Sequence, residues 1–139
     1  MNSNKRRIIP VGLLLALFLW SSPVAAFVKP GFYNIGPTQA SELIELNENN
    51  PNFVVLDVRT NEEFRQGHIE NAQLIDYYSQ DFAERLDALD KTQTYLIYCR
   101  SGNRSGNTLT LMRELGFKEV YNISGGIRAW ISAGLNLAF

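Results

Sequence analysis

The 139-residue chain is 45% hydrophobic, 12% aromatic and 19% charged, the balance of one ordinary globular domain with no room for a second. It is neither a disordered segment nor a disulfide scaffold, because its single cysteine cannot close an internal bridge. Its 13 Lys and Arg almost balance its 14 Asp and Glu, so no basic surface points to nucleic acid as a partner.

The first residues differ from the rest. Lys5, Arg6 and Arg7 form a basic head, Ile8 to Trp20 is apolar apart from Pro10 and Gly12, and small residues lead up to Ala26. Val24 and Ala26 fit the −3 and −1 positions of a cleavage site, so residues 1–26 are predicted to be a signal peptide and 27–139 the folded domain. The alternative is an uncleaved membrane anchor, for which the apolar run is short. Removing 1–26 takes three cations and no acids, leaving ten basic residues against 14 acidic ones and a net charge near −4. A periplasmic or otherwise exported location follows from this reading. There a lone thiol is a hazard unless it has a use, which favours chemistry over packing for Cys99.

In the predicted domain, Phe32–Ile35 is a short strand candidate. Thr38 looks like an N-cap for a helix through Ala40–Leu46, which the Asn47–Pro51 cluster ends. Phe53–Leu56 is a continuous apolar run, as in a strand buried on both faces. Thr60 and Glu63 have the spacing of a capping box opening a short helix that runs to Gly67. Ala72–Asp76 reads as a strand, and Asp81–Leu89 as a helix with Phe82, Leu86 and Leu89 on one face. Thr94–Tyr98 is another buried strand, followed by a helix over about residues 104–115 that Gly116 stops. Glu119–Ile123 is the last strand and Gly125–Ala133 the last helix. Strands alternating with helices at this spacing imply βαβ units and a mainly parallel sheet with helices on its faces.

The informative stretch is Tyr95-Leu-Ile-Tyr-Cys-Arg-Ser-Gly-Asn-Arg-Ser-Gly. A buried strand delivers Cys99 to its carboxyl end, where open parallel sheets place their ligands. The chain then turns directly into a helix whose first N–H groups have no partner within the helix. Those groups would stabilise a thiolate and an anion bound beside it. Gly102 lets the loop curl, and Arg100 and Arg104 add fixed positive charge suited to an oxyanion. A cysteine that merely packs in a core strand would not require this neighbourhood.

Three stretches together make the family legible. They are Leu56-Asp-Val-Arg-Thr with Glu63-Phe, Gly67-His-Ile and Asn71-Ala; the loop Cys99-Arg-Ser-Gly-Asn-Arg-Ser; and Ser124-Gly-Gly-Ile-Arg-Ala-Trp with Ala133-Gly-Leu. From about Gly36 to Leu135 the chain resembles a single-domain rhodanese, a sulfurtransferase. The resemblance implies a three-layer α/β/α domain around a mainly parallel five-stranded sheet. It also implies a double displacement. Cys99 takes the outer sulfur of thiosulfate or a similar donor as a persulfide, then passes it to a thiophilic acceptor, cyanide or a thiol. Cys99 is the catalytic residue on this reading. Arg100, Ser101, Gly102, Asn103, Arg104 and Ser105 form the substrate-binding bowl, with Arg104 and Arg100 orienting the donor's sulfonate. Related phosphatases and arsenate reductases use a loop one residue longer, whereas four residues separate Cys99 from Arg104 here. They remain the alternative enzyme class, and a redox-sensing or partner-binding module, with a redox protein as partner, the alternative without turnover.

Asp57 and Arg59 read as frame residues joined by a local salt bridge, and His68, the only histidine, as a hydrogen-bonded structural residue. Tyr77 and Tyr78 are candidates for the rim of the site, and Trp130 for packing the last helix on the sheet. One histidine and one cysteine cannot make a closed metal site, and no dinucleotide or P-loop motif is present, so no metal or organic cofactor is expected. The expected partners are small molecules. The membrane would be met only through an uncleaved signal segment.

Overall fold

The computed structural model describes residues 29–139, so the predicted signal peptide lies outside the described residues. Five strands, β1 (Phe32–Ile35), β2 (Phe53–Asp57), β3 (Gln73–Leu74), β4 (Thr94–Tyr98) and β5 (Glu119–Ile123), form one sheet in the order β1-β5-β4-β2-β3. Every pairing is parallel. β4 is central because it is apolar at every position a sheet must bury twice. Tyr95, Leu96, Ile97 and Tyr98 are each at most 1% exposed.

Successive residues of β4 point to opposite faces. Tyr95, Ile97 and then Cys99 join a core with Leu56, Val58 and Val120 of the sheet region. Phe82 and Leu86 of α3 (Phe82–Asp87) and Leu109 and Met112 of α4 (Asn103–Glu114) close that core. Leu96 and Tyr98 face the other way, toward Ala40 of α1 (Pro37–Leu46) and Ile127 and Trp130 of α5 (Gly126–Ser132). The three-layer α/β/α arrangement is thus the consequence of period-two alternation in strands whose residues are apolar on both faces. α2 (Asn61–Arg65) caps the exit of β2 and belongs to neither layer's buried core.

β4 and β5 begin and end where the apolar runs place them, while shorter elements shift. α1 starts at Pro37 rather than after a Thr38 cap. Proline's fixed φ suits the first helical position, and the Gly36 N–H is satisfied by the Gln39 side chain at 3.1 Å. Thr60 and Glu63 do form the reciprocal capping box, but the helix they open stops at Arg65. β3, an edge strand paired only with β2, has two residues, Gln73 and Leu74, rather than the whole of Ala72–Asp76.

Among the described residues no helix is long and apolar enough to cross a membrane. Leu96, wholly buried at the centre of the sheet, sets the scale of core energetics. Leu96→Ala is expected to cost about 3 kcal/mol, within the usual range for such truncations, as read from the urea midpoint at unchanged slope.

Candidate active site

The alternation of β4 aims Cys99 at the α4 side of the sheet, at the carboxyl end where the chain must reverse into α4. The side chain is buried, and its sulfur receives the Gly102 N–H at 3.1 Å and the Ser105 hydroxyl at 3.3 Å. Burial alone pushes the thiol up, but the Ser105 hydroxyl and N–H and the N–H groups of Gly102 and Ser101 outweigh it and leave Cys99 more acidic than an ordinary thiol. Fixed donors therefore favour the thiolate.

The donors converge because the carbonyls are pulled away. Cys99 O accepts from the Ile127 N–H at 2.8 Å and Arg100 O from the Arg128 N–H at 3.2 Å. These N–H groups belong to the first turn of α5 and lack partners inside it. In a planar trans peptide the C=O and the next N–H point in opposite directions, so the amides of Arg100 and Ser101 are turned away from α5. Gly126 makes this approach possible. A Cβ there would lie 2.4 Å from Cys99 O and 2.7 Å from Arg100 O, at a φ of +59°. Gly102, at φ +103°, turns the loop beside Gly125 and opens α4. Read from sequence, the glycine pair served a tight strand-to-helix turn; the contact with the cysteine loop, far away in the chain, was missed.

Arg104 is partly buried, and two of its N–H groups donate to the Glu63 carboxylate at 2.7 and 2.8 Å. The resemblance put Arg104 on the donor's sulfonate; here a carboxylate of the chain holds that fork. The Glu63 carboxylate also accepts the Thr60 N–H at 3.0 Å. The Arg104 bonds, with the Thr60 amide, hold its pKa down at about 2, and the same pairing raises Arg104. The Tyr78 ring covers the guanidinium, with the Arg104 carbon 5.4 Å from its centroid. Tyr78 is exposed at the rim, whereas Tyr77 packs on the core and accepts the Asn107 amide at 3.3 Å. Glu63 was legible as a cap but not as the partner of Arg104, 41 residues away.

The remaining candidates divide. Arg100, Ser101 and Asn103 are exposed around the bowl, and Arg100 takes part in no ion pair among the described residues. Asp57 and Arg59 are paired and buried, and Arg59 also donates to Gly67 O at 2.7 Å. His68 stacks on Phe64 at 3.8 Å, its Nδ1 lies 3.1 Å from Phe64 O, and its backbone bridges Ala138. It is held structurally rather than at the sulfur. Trp130 is buried, and its indole N–H donates to Asn136 O at 2.9 Å. Two clefts, one at α1 and β2 (Ile44, Phe53) and one at α1 and the C-terminal segment (Ser41, Leu135), lie apart from the loop of Cys99 to Ser105.

A parallel α/β sheet that ends in a cysteine cradled by amides defines a domain built for thiolate chemistry. Residues 39–133 match the Rhodanese-like domain family, and the chain belongs to it. YtwF of Bacillus subtilis (strain 168), which bears a sulfurtransferase name, is 38% identical over 96 residues, covering 69% of this chain and 87% of its own. The tRNA uridine(34) hydroxylase of Chlamydia felis (strain Fe/C-56) is 38% identical over 103 residues, 70% of this chain, but the match spans only 30% of that enzyme. A rhodanese-related protein from Thermoplasma volcanium superposes with a TM-score of 0.66 at 27% identity, covering 77% of this chain and 98% of that one.

Two outcomes follow from this geometry. Gly126→Ala is expected to lower stability by about 2 kcal/mol or more, because a strained φ and a backbone clash combine. It should also raise the Cys99 pKa, read from the pH dependence of thiol alkylation. For the ion pair, Glu63 has a folded pKa below its ordinary value of 4.5, so its contribution is complete above that pH and disappears as pH falls through about 2. Wild type should exceed Glu63→Gln by on the order of 1 kcal/mol at pH 7. Urea titrations at a series of pH values should show that difference closing across the acid range.

Proposed function

We propose that the protein is a sulfurtransferase that carries sulfane sulfur on Cys99, taking it from thiosulfate or a similar donor and giving it to cyanide or a thiol. The observation that carries this reading is the set of amide and hydroxyl donors converging on the Cys99 sulfur. They favour the thiolate before reaction and would stabilise the negative persulfide after it. Relatives of the family, YtwF among them, bear sulfurtransferase names.

In the first half-reaction the Cys99 thiolate attacks the outer sulfur of thiosulfate. A new S–S bond forms to Cys99, the bond to the sulfonyl sulfur breaks, and its electron pair leaves on sulfite. In the second, the acceptor attacks the terminal sulfur and the thiolate is regenerated. With cyanide as acceptor neither step transfers a proton, and a thiol acceptor reacts as its thiolate, its proton leaving to water; the chain's single histidine is engaged with Phe64. The bowl has four residues between Cys99 and Arg104 and closes on a single sulfur, which favours this chemistry over phosphoryl or arsenyl transfer. The basic head, apolar run and small residues of 1–26 support export of the enzyme.

Incubation with thiosulfate alone should add one sulfur to the intact mass, and cyanide should then release thiocyanate. Cys99→Ser should show neither, with turnover reduced at least about a thousandfold, as expected for loss of a covalent nucleophile. A folded, reduced protein that gains no sulfur would overturn the assignment.

A further inference from the structure

Beside the Cys99 loop stand the ion pair of Glu63 with Arg104 and two exposed cations, Arg100 and Arg128, which take part in no ion pair among the described residues. Arg104, the partly buried cation, is only 14% exposed, and its fork is filled by Glu63 at 2.7 and 2.8 Å while Tyr78 covers it. Arg100 and Arg128 are exposed, so water and salt weaken their pull on a bound anion. What remains for an incoming donor is the ring of amides, which supplies partial charges rather than a full one. Thiosulfate brings two negative charges, of which this site has no unspent buried cation to offset the second.

We propose that Glu63 sets the charge of the sulfur donor, making singly charged sulfane donors of the thiosulfonate or persulfide kind better substrates than doubly charged thiosulfate. This rests on the sulfur-transfer reading above. Glu63 acts through Arg104 and through its own field, as a positioning residue rather than a reacting one. With a thiosulfonate, the thiolate attacks the same outer sulfur and the electron pair of the broken S–S bond leaves on a sulfinate. With a persulfide, the pair leaves on a thiolate. Each step conserves charge and needs no further reactant.

Thiosulfate and methanethiosulfonate test this directly, since one oxyanion replaced by a methyl group removes one charge and leaves the transferred sulfur unchanged. Interaction with a fixed charge scales with the charge of the donor. Removing the Glu63 charge should therefore raise kcat/KM for thiosulfate by about the square of the gain for the thiosulfonate, about tenfold against about threefold. Glu63→Gln in the full chain keeps the side chain's shape and should produce that shift, mainly in the KM for thiosulfate. Glu63→Asp keeps the charge while disturbing the geometry and should retain the wild-type ratio between the two donors.

An unchanged ratio in Glu63→Gln, or an equal shift in Glu63→Asp, overturns the role of Glu63. Intact mass separates the two levels of the argument. A wild-type persulfide from either donor with an unmoved ratio removes only the Glu63 proposal. No persulfide from either donor removes the sulfur-transfer reading and this proposal with it.

Discussion

The geometry around Cys99 depends on two hydrogen bonds between strands of sequence that are far apart: Cys99 O to the Ile127 N–H and Arg100 O to the Arg128 N–H. A loop of small residues after a strand has many conformations, and most of them present carbonyls as readily as amides to the space above the sheet. Fastening two carbonyls to the first turn of α5 removes that freedom. It satisfies orphan donors of the helix and turns the following amides away from it. The acidity of Cys99 is then a property of the whole α/β unit, since β4 positions the sulfur, α5 orients the loop and α4 begins with Gly102 and Ser105 bonded to it.

A second layer of constraint comes from charge. Glu63 closes the capping box of α2 through Thr60 and at the same time holds the fork of Arg104. A local helix-start signal and the electrostatics of the site therefore share one carboxylate. Nearby, the buried Arg59 guanidinium donates to the Asp57 carboxylate and the Gly67 carbonyl and lies over the Tyr98 ring, 5.5 Å from its centroid. A buried pair of this kind adds little net stability compared with an apolar replacement, but breaking it would leave a charge unpaired, so it fixes one geometry at the exit of β2. The Tyr98 hydroxyl, accepting the Ile69 N–H at 3.0 Å, ties the following loop to the opposite face of the central strand.

Membership of the rhodanese-like family places this chain among domains that appear both alone and within longer enzymes. YtwF is nearly matched over its full length, while the Chlamydia felis hydroxylase contains the matched region as less than a third of its chain. The family match, residues 39–133, runs from within α1 through the cysteine-bearing loop to the end of α5 and so includes the whole bowl around Cys99. Glu63, Tyr78 and Arg100 are the residues here that present charge and aromatic surface at its mouth.

The sequence by itself determined the elements whose signals are local. Apolar runs such as Tyr95–Tyr98 marked the twice-buried strands, the Thr60–Glu63 spacing marked a helix start, and the strand-cysteine-glycine-helix order marked Cys99 as the candidate nucleophile. Those signals survive because each depends on residues within a few positions of one another. Pro37 was also local, yet Thr38 was the more obvious cap, and only the Gln39 bond to Gly36 resolved the start of α1. The tertiary structure decided which side chain answers which. Glu63 meets Arg104 across 41 residues, and Gly126 lies against the carbonyls of Cys99 and Arg100. No periodicity encodes these contacts, because they arise only when the parallel sheet brings the ends of β2, β4 and β5 to one edge.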